Sequence, residues 1–453
     1  MQIDFAKHPI LKEALYIVDT LVEAGYSAYF VGGAVRDVLL GREIHDVDIA
    51  TNARPEQTLS LFPKGFATGL QHGTVTIVHQ HINYEVTTFR VESDYTDYRR
   101  PEQVHFVHEL KSDLARRDFT MNAMAINKQG FVVDYFNGIE ALHNRMLVAV
   151  GDPCLRFKED ALRMVRAIRF ATIYKLKCDE ALWDALIELR PLLSYISMER
   201  IQQEMFKLLS SINCIEDLEL LYQSELLNFT KKKLSISKTL HHWFHNETPL
   251  LKQTISQEYM FWVILYAYSP LSIEDIKADF IALVFSKKYS FKIVLFIEWL
   301  RFWLATDAAQ YDSAEYFKHY KDYLNMYRVL SKQDLTLIND IDKVKLITKM
   351  YWQEQLLYYP ELLLEFEQIL FTCGLQHLQN SMKQIEQRQI VTKLKKLKLT
   401  GKQLIQSLNK EAGPWLKQLL HLLIFAVNLQ IVENEEEQLM AFAYQLQNDG
   451  VLA

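Results

Sequence analysis

VGGAVRDVLLG, from Val31 to Gly41, runs almost at once into HDVDIAT, from His45 to Thr51. A strand that enters Gly32-Gly33 and leaves as a helix brings bare backbone N–H groups, and the positive end of a helix, up to a phosphate. Arg36, one turn in, can pair with the same phosphate. A tight turn explains two glycines equally well, so Asp46 and Asp48 carry the decision. Residues two apart on a strand share a face, so both carboxylates converge and repel, and a divalent cation resolves the conflict. Paired carboxylates suit Mg2+ (magnesium), which keeps water and phosphate oxygens in its other positions. Two such ions activate a hydroxyl and stabilise a leaving pyrophosphate. The plainer alternative, an edge strand with two solvated aspartates, loses most of its standing beside the glycine turn.

The flanking sequence predicts one α+β domain over about the first 150 residues. Apolar residues from Pro9 to Ala24 recur at helical spacing and stop at Gly25. Short β-branched or aromatic runs follow at Ser27 to Val31, Asp46 to Thr51, Thr74 to His79 and Tyr84 to Phe89, with a weaker one at Phe131. Arg54 to Phe62 reads as a helix opened by its proline. From Arg156 onward the pattern is helical, with no further strand expected. The length of 453 residues allows about three domains at roughly 150 each. Only 14 glycines and 10 prolines agree with long helices.

Composition excludes several classes. With 49% hydrophobic and 23% charged residues the chain is neither wholly disordered nor a coiled coil. A net charge of −6 gives no global cationic field, so a nucleic acid must meet a local basic patch. Lys231 to Lys233 and KLKKLKLTGK (Lys393 to Lys402) are such patches, though either alone reads first as a solvated face. Glu433 to Glu437 is acidic. Cys154, Cys178, Cys214 and Cys373 lie far apart without a CxxC pair, against a disulfide framework or structural zinc. No leader-like start and no run of about 18 apolar residues is present, so a soluble, cytoplasmic protein with no membrane association is expected.

Two further stretches carry chemistry. In ARRDFTMNAMA (Ala115 to Ala125), Arg116 and Arg117 can grip phosphate and Asp118 can accept from ribose hydroxyls; a surface Arg-Asp pair is the plainer reading. Glu85 stands as a third acid beside the metal site or as an ordinary sheet-edge glutamate. In FKEDALRMVRAIRFA (Phe157 to Ala171), one helix would turn Ala161, Met164, Val165 and Ile168 inward and fan Asp160, Arg163, Arg166 and Arg169 over the other half. That half is a solvated face or a nucleotide reader. An Asp accepts from the exocyclic amine of cytosine or adenine and an Arg donates to the adjacent ring nitrogen, a pair that rejects uracil and guanine.

GGAVRD with DVDIAT, RRDFTMNA, EDALRMVRAIRF and ISMERIQQE (Ile196 to Glu204) stand in the order found in class II tRNA nucleotidyltransferases and bacterial poly(A) polymerases. The chain resembles CCA-adding enzymes of the Gram-positive bacterial type. The resemblance is strong over residues 25 to 210, faint over Leu399 to Leu420, and absent to the eye from 215 to 380. It implies an α+β N-terminal nucleotidyltransferase head, polymerase β-like, followed by an elongated all-α neck, body and tail: 1–150 head with the metal site, 151–215 neck with the nucleotide-selecting helix, 216–380 body, 381–453 tail. It places catalytic and metal roles on Asp46 and Asp48. Nucleotide-binding roles fall on Gly33, Arg36, Arg117, Asp160, Arg163, Arg166 and Arg169, with Asp160 and Arg163 as an amino-acid template for CTP and ATP. Glu199 and Arg200 would buttress that helix.

The implied activity is addition of CCA to the 3′ end of tRNA from CTP and ATP, without a nucleic-acid template, by two-metal-assisted attack of the 3′-hydroxyl with loss of pyrophosphate. CC-adding, A-adding and poly(A)-polymerizing enzymes are the alternatives, and a non-catalytic RNA-binding module a remote one. CC-adding relatives lack a flexible loop that Val91 to Phe106 resembles, and poly(A) polymerases usually carry a basic extension where this chain ends acidic and short. The His-Asp pair His45-Asp46 belongs to the metal motif, so no HD-type phosphohydrolase is expected. The helical body would follow tRNA through its phosphates, with Lys393 to Lys402 as part of that surface. A homodimer stays open. One departure stands out: after Asp134, where family members often carry Gly-Gly and an aspartate in a hinge, this chain has Asn137-Gly138 and Ala141.

Overall fold

The computed structural model describes residues 1–69, 72–96, 100–212, 214–245, 259–307, 321–332, 340–359, 362–387, 391 and 393–451. Among these, contacts divide the chain into two compact units, one of residues 1–245, 259–262 and 269–291 and another of 263–268 and 292–451.

Helix α1 (Pro9–Glu23) starts at a proline, which needs no N–H partner there, and ends against Gly25 at φ +89°. Its buried stripe, Leu11, Ala14, Ile17, Val18 and Leu21, is the apolar face that the spacing predicts. Then come β1 (Ala28–Val31), α2 (Gly33–Leu39), β2 (Asp48–Thr51), α3 (Pro55–Leu61), β3 (Phe66–Gly69), β4 (Thr74–His79) and β5 (Ile82–Thr88). β6 (Arg90–Thr96) and β7 (Arg100–Phe106) pair with each other, α4 (Leu110–Ala115) follows, and β8 (Met124–Ile126) and β9 (Val132–Asp134) complete the sheet.

The sheet order is β3-β4-β5-β2-β1-β8-β9, with β2 and β5 parallel and the other pairs antiparallel. The first four expected strands and the Arg54 to Phe62 helix are present; β3 and β8, too short and too polar or too Ala-rich to announce themselves, were not expected. Val91 to Phe106, expected as a loop, is instead an antiparallel hairpin in register from Arg90↔Phe106 to Thr96↔Arg100, its tip (97–99) outside the described residues. A mostly polar stretch with Val91, Thr96 and Val104, and with a proline that a two-stranded pair tolerates, suits a ribbon as well as a loop.

On one face of the sheet Val31, Ala50 and Ala125 pack with Phe89, Leu110 and Leu114. This apolar floor lies under the ends of β1 and β2 and fixes α4 there. Alternation puts Asp48 on the same face as Ala50, at the exposed end of β2, so the floor and the acid are consequences of one register.

The rest of the first unit is helical and includes α5 (Gly138–His143), α6 (Pro153–Glu159), α7 (Leu162–Tyr174), α8 (Glu180–Leu189) and α9 (Met198–Leu209). A two-residue parallel pair, Met146–Leu147 with Lys177–Cys178, is, among the described residues, the exception to the all-helical expectation beyond Arg156. The fold is therefore a head with a mixed sheet followed by a helical body. In the second unit Trp415, Leu419 and Leu423 of Pro414–Asn428 pack with Leu439, Phe442 and Leu446 of Glu436–Asn448. Each such side chain contributes about 1.5–3 kcal/mol on burial. Trp299 is fully buried and donates to Gln355 Oε1 at 2.9 Å, so its indole N–H is satisfied.

Candidate active site

The glycine turn is the point of closest approach. Gly32 has φ +70°, and a Cβ there would stand 3.2 Å from Asp48 Oδ2 and 3.3 Å from Arg117 Nη1. Only glycine holds this conformation without strain and leaves the space between acid and guanidinium open. Gly33, the glycine expected in nucleotide binding, has no positive φ and starts α2; a Cβ on it would meet only Arg36 Nη2 at 3.4 Å.

Asp46 lies just before β2 and Asp48 is its first residue; both are exposed, with Val47 buried between them at 4%. The exposed–buried–exposed alternation thus reaches past the end of the strand, and Asp46 is near enough to repel the Asp48 charge. Glu85 stands in register with Asp48 across the parallel β2–β5 pair and is exposed too. Asp48 keeps an open side, yet the protein packed around its inner side withdraws enough water to raise its carboxyl above its ordinary value; Arg117 opposes the rise, and Glu85 and Asp46 add to it. Asp46 and Glu85 repel the Asp48 charge while Arg117 attracts it, a set of neighbours in which a divalent cation would offset the repulsion. Among the described residues no three His, Cys, Asp or Glu side chains form a ready-made cage. The donor set fits a hard ion that takes two carboxylates and fills its other positions with water and phosphate.

Arg117 is aimed by two partners. Its Nη2 donates to Asp113 Oδ2 at 3.2 Å and its Nη1 to the Asn122 carbonyl at 3.2 Å, while its buried Nε has no hydrogen-bond partner. Asp113 is 1% exposed. Burial alone would raise its carboxyl, but Arg116 and Arg117 hold it below the ordinary range. Arg36 is buried as well: it grips Asp37 through Nε and Nη2, each at 2.9 Å, donates from Nη1 to Asn122 Oδ1 at 2.8 Å, and lies 4.3 Å from the Tyr174 ring.

The reading of Asp118 as a ribose acceptor is corrected here. Its Oδ1 accepts from Phe119 N at 2.8 Å and Asn122 Nδ2 at 3.1 Å, and its Oδ2 from Arg166 Nε at 2.9 Å and Nη2 at 2.5 Å. Four protein donors fill the carboxylate. Burial opposes its ionisation, yet Arg166 and Asn122 hold the carboxyl down at about 2.

The expected single helix from Phe157 is also corrected. α6 ends at Glu159, Asp160 is extended at φ −145° and ψ +103°, and α7 begins at Leu162. An aspartate competes with the helix for its own backbone, and here Asp160 Oδ1 caps Leu162 N at 3.1 Å. Nor do the arginines fan into solvent. Arg163 and Arg169 are 9% and 8% exposed. Arg163 donates to the Arg116 and Arg156 carbonyls and pairs with Glu159. Arg169 Nε meets Glu204 Oε2 at 2.6 Å, and Arg166 Nη1 lies 3.7 Å from Glu204 Oε1.

Arg200 holds Asp160 with both terminal nitrogens, at 3.1 and 2.7 Å, which is the buttressing expected of the later motif; the structure places Glu204, not Glu199, beside the arginines. With two bonds to Oδ1 and one to Oδ2, the Asp160 carboxylate keeps an acceptor position.

Sequence reasoning assigned no role to Asp113, Asn122 or Glu204. Asn122 joins Arg36, Arg117 and Asp118, and Glu204 joins Arg166 and Arg169. Only a charge count around ARRD and RMVRAIR, with more arginines than nearby acids, could have called for distant carboxylates.

Comparison with known proteins places this geometry. Residues 28–148 match the family described as "Poly A polymerase head domain", 175–235 that described as "Probable RNA and SrmB- binding site of polymerase A", and 298–443 tRNA nucleotidyltransferase domain 2. The CCA-adding enzyme of Enterococcus faecalis is 34% identical over 439 residues, 97% of each chain. The chain belongs to the CCA-adding enzyme family. A solved family member, the Bacillus stearothermophilus CCA-adding enzyme in complex with CTP, aligns with a TM-score of 0.72 at 31% identity over 98% of this chain and 99% of that one. The Geobacillus sp. (strain WCH70) member is 54% identical over 220 residues, so that match spans about half of each chain, 49% and 54%. The family match at 298–443 also reaches into the stretch from 215 to 380 that could not be aligned by eye. Helical bodies tolerate exchange among Leu, Lys, Glu and Gln and leave few fixed residues to recognise.

The turn after Asp134, where the sequence departs from the family pattern, is held by local contacts. Asn137 takes the left-handed conformation at φ +59°, which asparagine tolerates better than most residues, and Asp134 accepts from Phe136 N, Gly138 N and Ile139 N at 3.2, 3.0 and 2.9 Å. A Cβ on Gly138 would lie 2.4 Å from the Thr120 carbonyl, so this glycine lets the turn rest on the RRD segment.

Proposed function

We propose that this protein completes the 3′ end of tRNA by adding C, C and A from CTP and ATP without a nucleic-acid template. The observation that carries the reading is the 34% identity to the Enterococcus faecalis CCA-adding enzyme along 97% of both chains. The site geometry supports it. Asp46 and Asp48 would hold magnesium, with Glu85 beside them. Bound there, the ion would lower the energy of deprotonating the tRNA 3′-hydroxyl and of releasing pyrophosphate. Arg117, held by Asp113 and the Asn122 carbonyl beside Gly32, meets the triphosphate, and the bare turn admits it. Asp160 offers its remaining acceptor position to the exocyclic amine of cytosine or adenine. Arg163, drawn from its bond with Glu159, donates to the neighbouring ring nitrogen. Gly33, Arg36, Arg166 and Arg169 complete the nucleotide pocket.

The same proposal divides the chain into head (1–150), neck (151–215), body (216–380) and tail (381–453), puts Lys393 to Lys402 on the tRNA-facing surface, and places the protein in the cytoplasm with its substrate. No helix among the described residues is long and apolar enough to cross a membrane. The hairpin from Arg90 to Phe106 is read as the counterpart of the element whose loss marks CC-adding relatives, which favours CCA over CC addition.

The test is extension of tRNAs ending at the discriminator base, at C and at CC, with CTP, ATP or both, resolved to single nucleotides. CCA on all three is expected. C alone makes this a CC-adding enzyme, A on the CC end alone an A-adding enzyme, long A tails a poly(A) polymerase, and no extension an RNA-binding module.

A further inference from the structure

Phe170 and Tyr174, four residues apart, share one side of α7 and carry guanidiniums along it. Arg169 and Arg166 lie 4.0 and 5.1 Å from the Phe170 ring. Arg36 lies 5.5 Å from Phe170 and 4.3 Å from Tyr174, and Arg42 lies 4.7 Å from Tyr174. The row therefore runs from two arginines of α7 to Arg36 of α2 and Arg42 in the turn beyond it. The Tyr174 hydroxyl donates to Asp37, whose carboxylate also grips Arg36, so the ring is fixed at its tip as well as along its face.

Arg42 stands where the chain has left α2 and turns toward the metal corner. Its backbone N–H donates to the Asp37 carbonyl at 2.8 Å. Beyond it, Glu43 to Asp46 make no hydrogen bond among the described residues, and β2 begins at Asp48. The segment that delivers Asp46 is thus pinned at Arg42 on one side and at β2 on the other. Arg42 Nη1 donates to the Ile173 carbonyl at 3.1 Å, in the last turn of α7. There a helix leaves carbonyls unpaired and its dipole favours a cation. Arg42 is exposed, and among the described residues its side chain meets α7 alone, so the sheet and its core do not need it.

We infer that Arg42 and Tyr174 are positioning residues that tie the C-terminal end of α7 to the segment carrying Asp46, so that binding of the metal and binding of the nucleotide depend on each other. The inference rests on the proposed function for what the two ends bind. Without this tie, the loop from Glu43 to Asp46 would set the metal carboxylate independently of the helix that carries Arg163, Arg166 and Arg169.

The test measures CTP affinity of the full chain, without tRNA, in Mg2+ and in EDTA; the ratio of the two is the coupling between metal and nucleotide. Arg42→Met removes the charge and the donor at an exposed position and keeps the apolar stem. It should lower the ratio about tenfold, the scale of one partly desolvated cation–ring contact, with the affinity in EDTA unchanged. Tyr174→Leu should lower the ratio as well, and the double variant should fall no further than Tyr174→Leu, because both changes remove one shared contact. Arg42→Lys keeps a cation and a donor and should recover most of the loss. A wild-type ratio in Arg42→Met, an equal fall of affinity in Mg2+ and EDTA as a merely structural contact would give, or additive losses in the double variant each overturn the tie. A ratio of one in the wild-type chain overturns it too. Failure of the wild-type chain to extend any tRNA overturns the proposed function instead, and the coupling ratio still decides the tie.

Discussion

Asp118→Asn tests the linkage between the segment after α4 and helix α7. The carboxyl sits at about 2 in the fold against an ordinary 3.8, because Arg166 and Asn122 outweigh burial. At about 1.36 kcal/mol for each tenfold change, the ionised carboxylate contributes about 2 kcal/mol at pH 7. The amide lacks the charge and turns one donor toward Arg166 or Asn122, so the variant should lose at least that much. The sign is fixed by linkage. A carboxyl held lower in the fold than in the unfolded chain stabilises fully above its unfolded value, and the contribution fades as pH falls through 3.8 toward 2. By pH 3 about 1 kcal/mol of the difference between wild type and variant should be gone. Two units make a single global unfolding energy ill-defined, so the readout is hydrogen exchange of the Leu162–Tyr174 amides against urea at pH 7, 5, 4 and 3. A difference that stays constant from pH 7 to pH 3, or is absent at pH 7, refutes the view that the Asp118 charge holds α7.

Other outcomes follow from the same geometry. Asp48→Asn, or chelation of divalent ions, should lower nucleotide incorporation by at least a hundredfold while circular dichroism is unchanged; persistent transfer would remove Asp48 from the metal site. Glu204→Gln leaves the buried Arg169 without its carboxylate, while Arg166 keeps Asp118, and should cost about 3 kcal/mol, read as a fall in melting temperature. Gly32→Ala forces a strained φ and a methyl between Asp48 and Arg117, so CTP affinity should fall at least tenfold with about 1–2 kcal/mol of stability; normal CTP titration would show the turn is not the entry point. Arg200→Met frees Asp160 and should raise misincorporation of UTP relative to CTP, measured by single-turnover incorporation.

What could be read along the chain was whatever rests on local pattern. α1, the strands around the glycine turn, and the pairing of Asp46 with Asp48 on one side follow from spacing, because period and register act between near neighbours. The buttress from Ile196 to Glu204 was legible as a motif, although its contacts were not. The break at Asp160 was hidden because the apolar stripe runs on through it and one side chain's capping bond decides where the helix restarts.

The sequence by itself therefore determined the chemistry available: two carboxylates for a cation, a glycine turn for phosphate, and arginines in register on a helix. Tertiary structure alone decided which of these groups are free to use it. Asp118, adjacent to Arg117, is filled by Arg166 48 residues away, while Asp160 keeps an acceptor because Arg200, 40 residues on, takes only part of it. A buried charge takes whichever partner the packing brings within hydrogen-bond distance, and no rule of spacing along the chain specifies that partner.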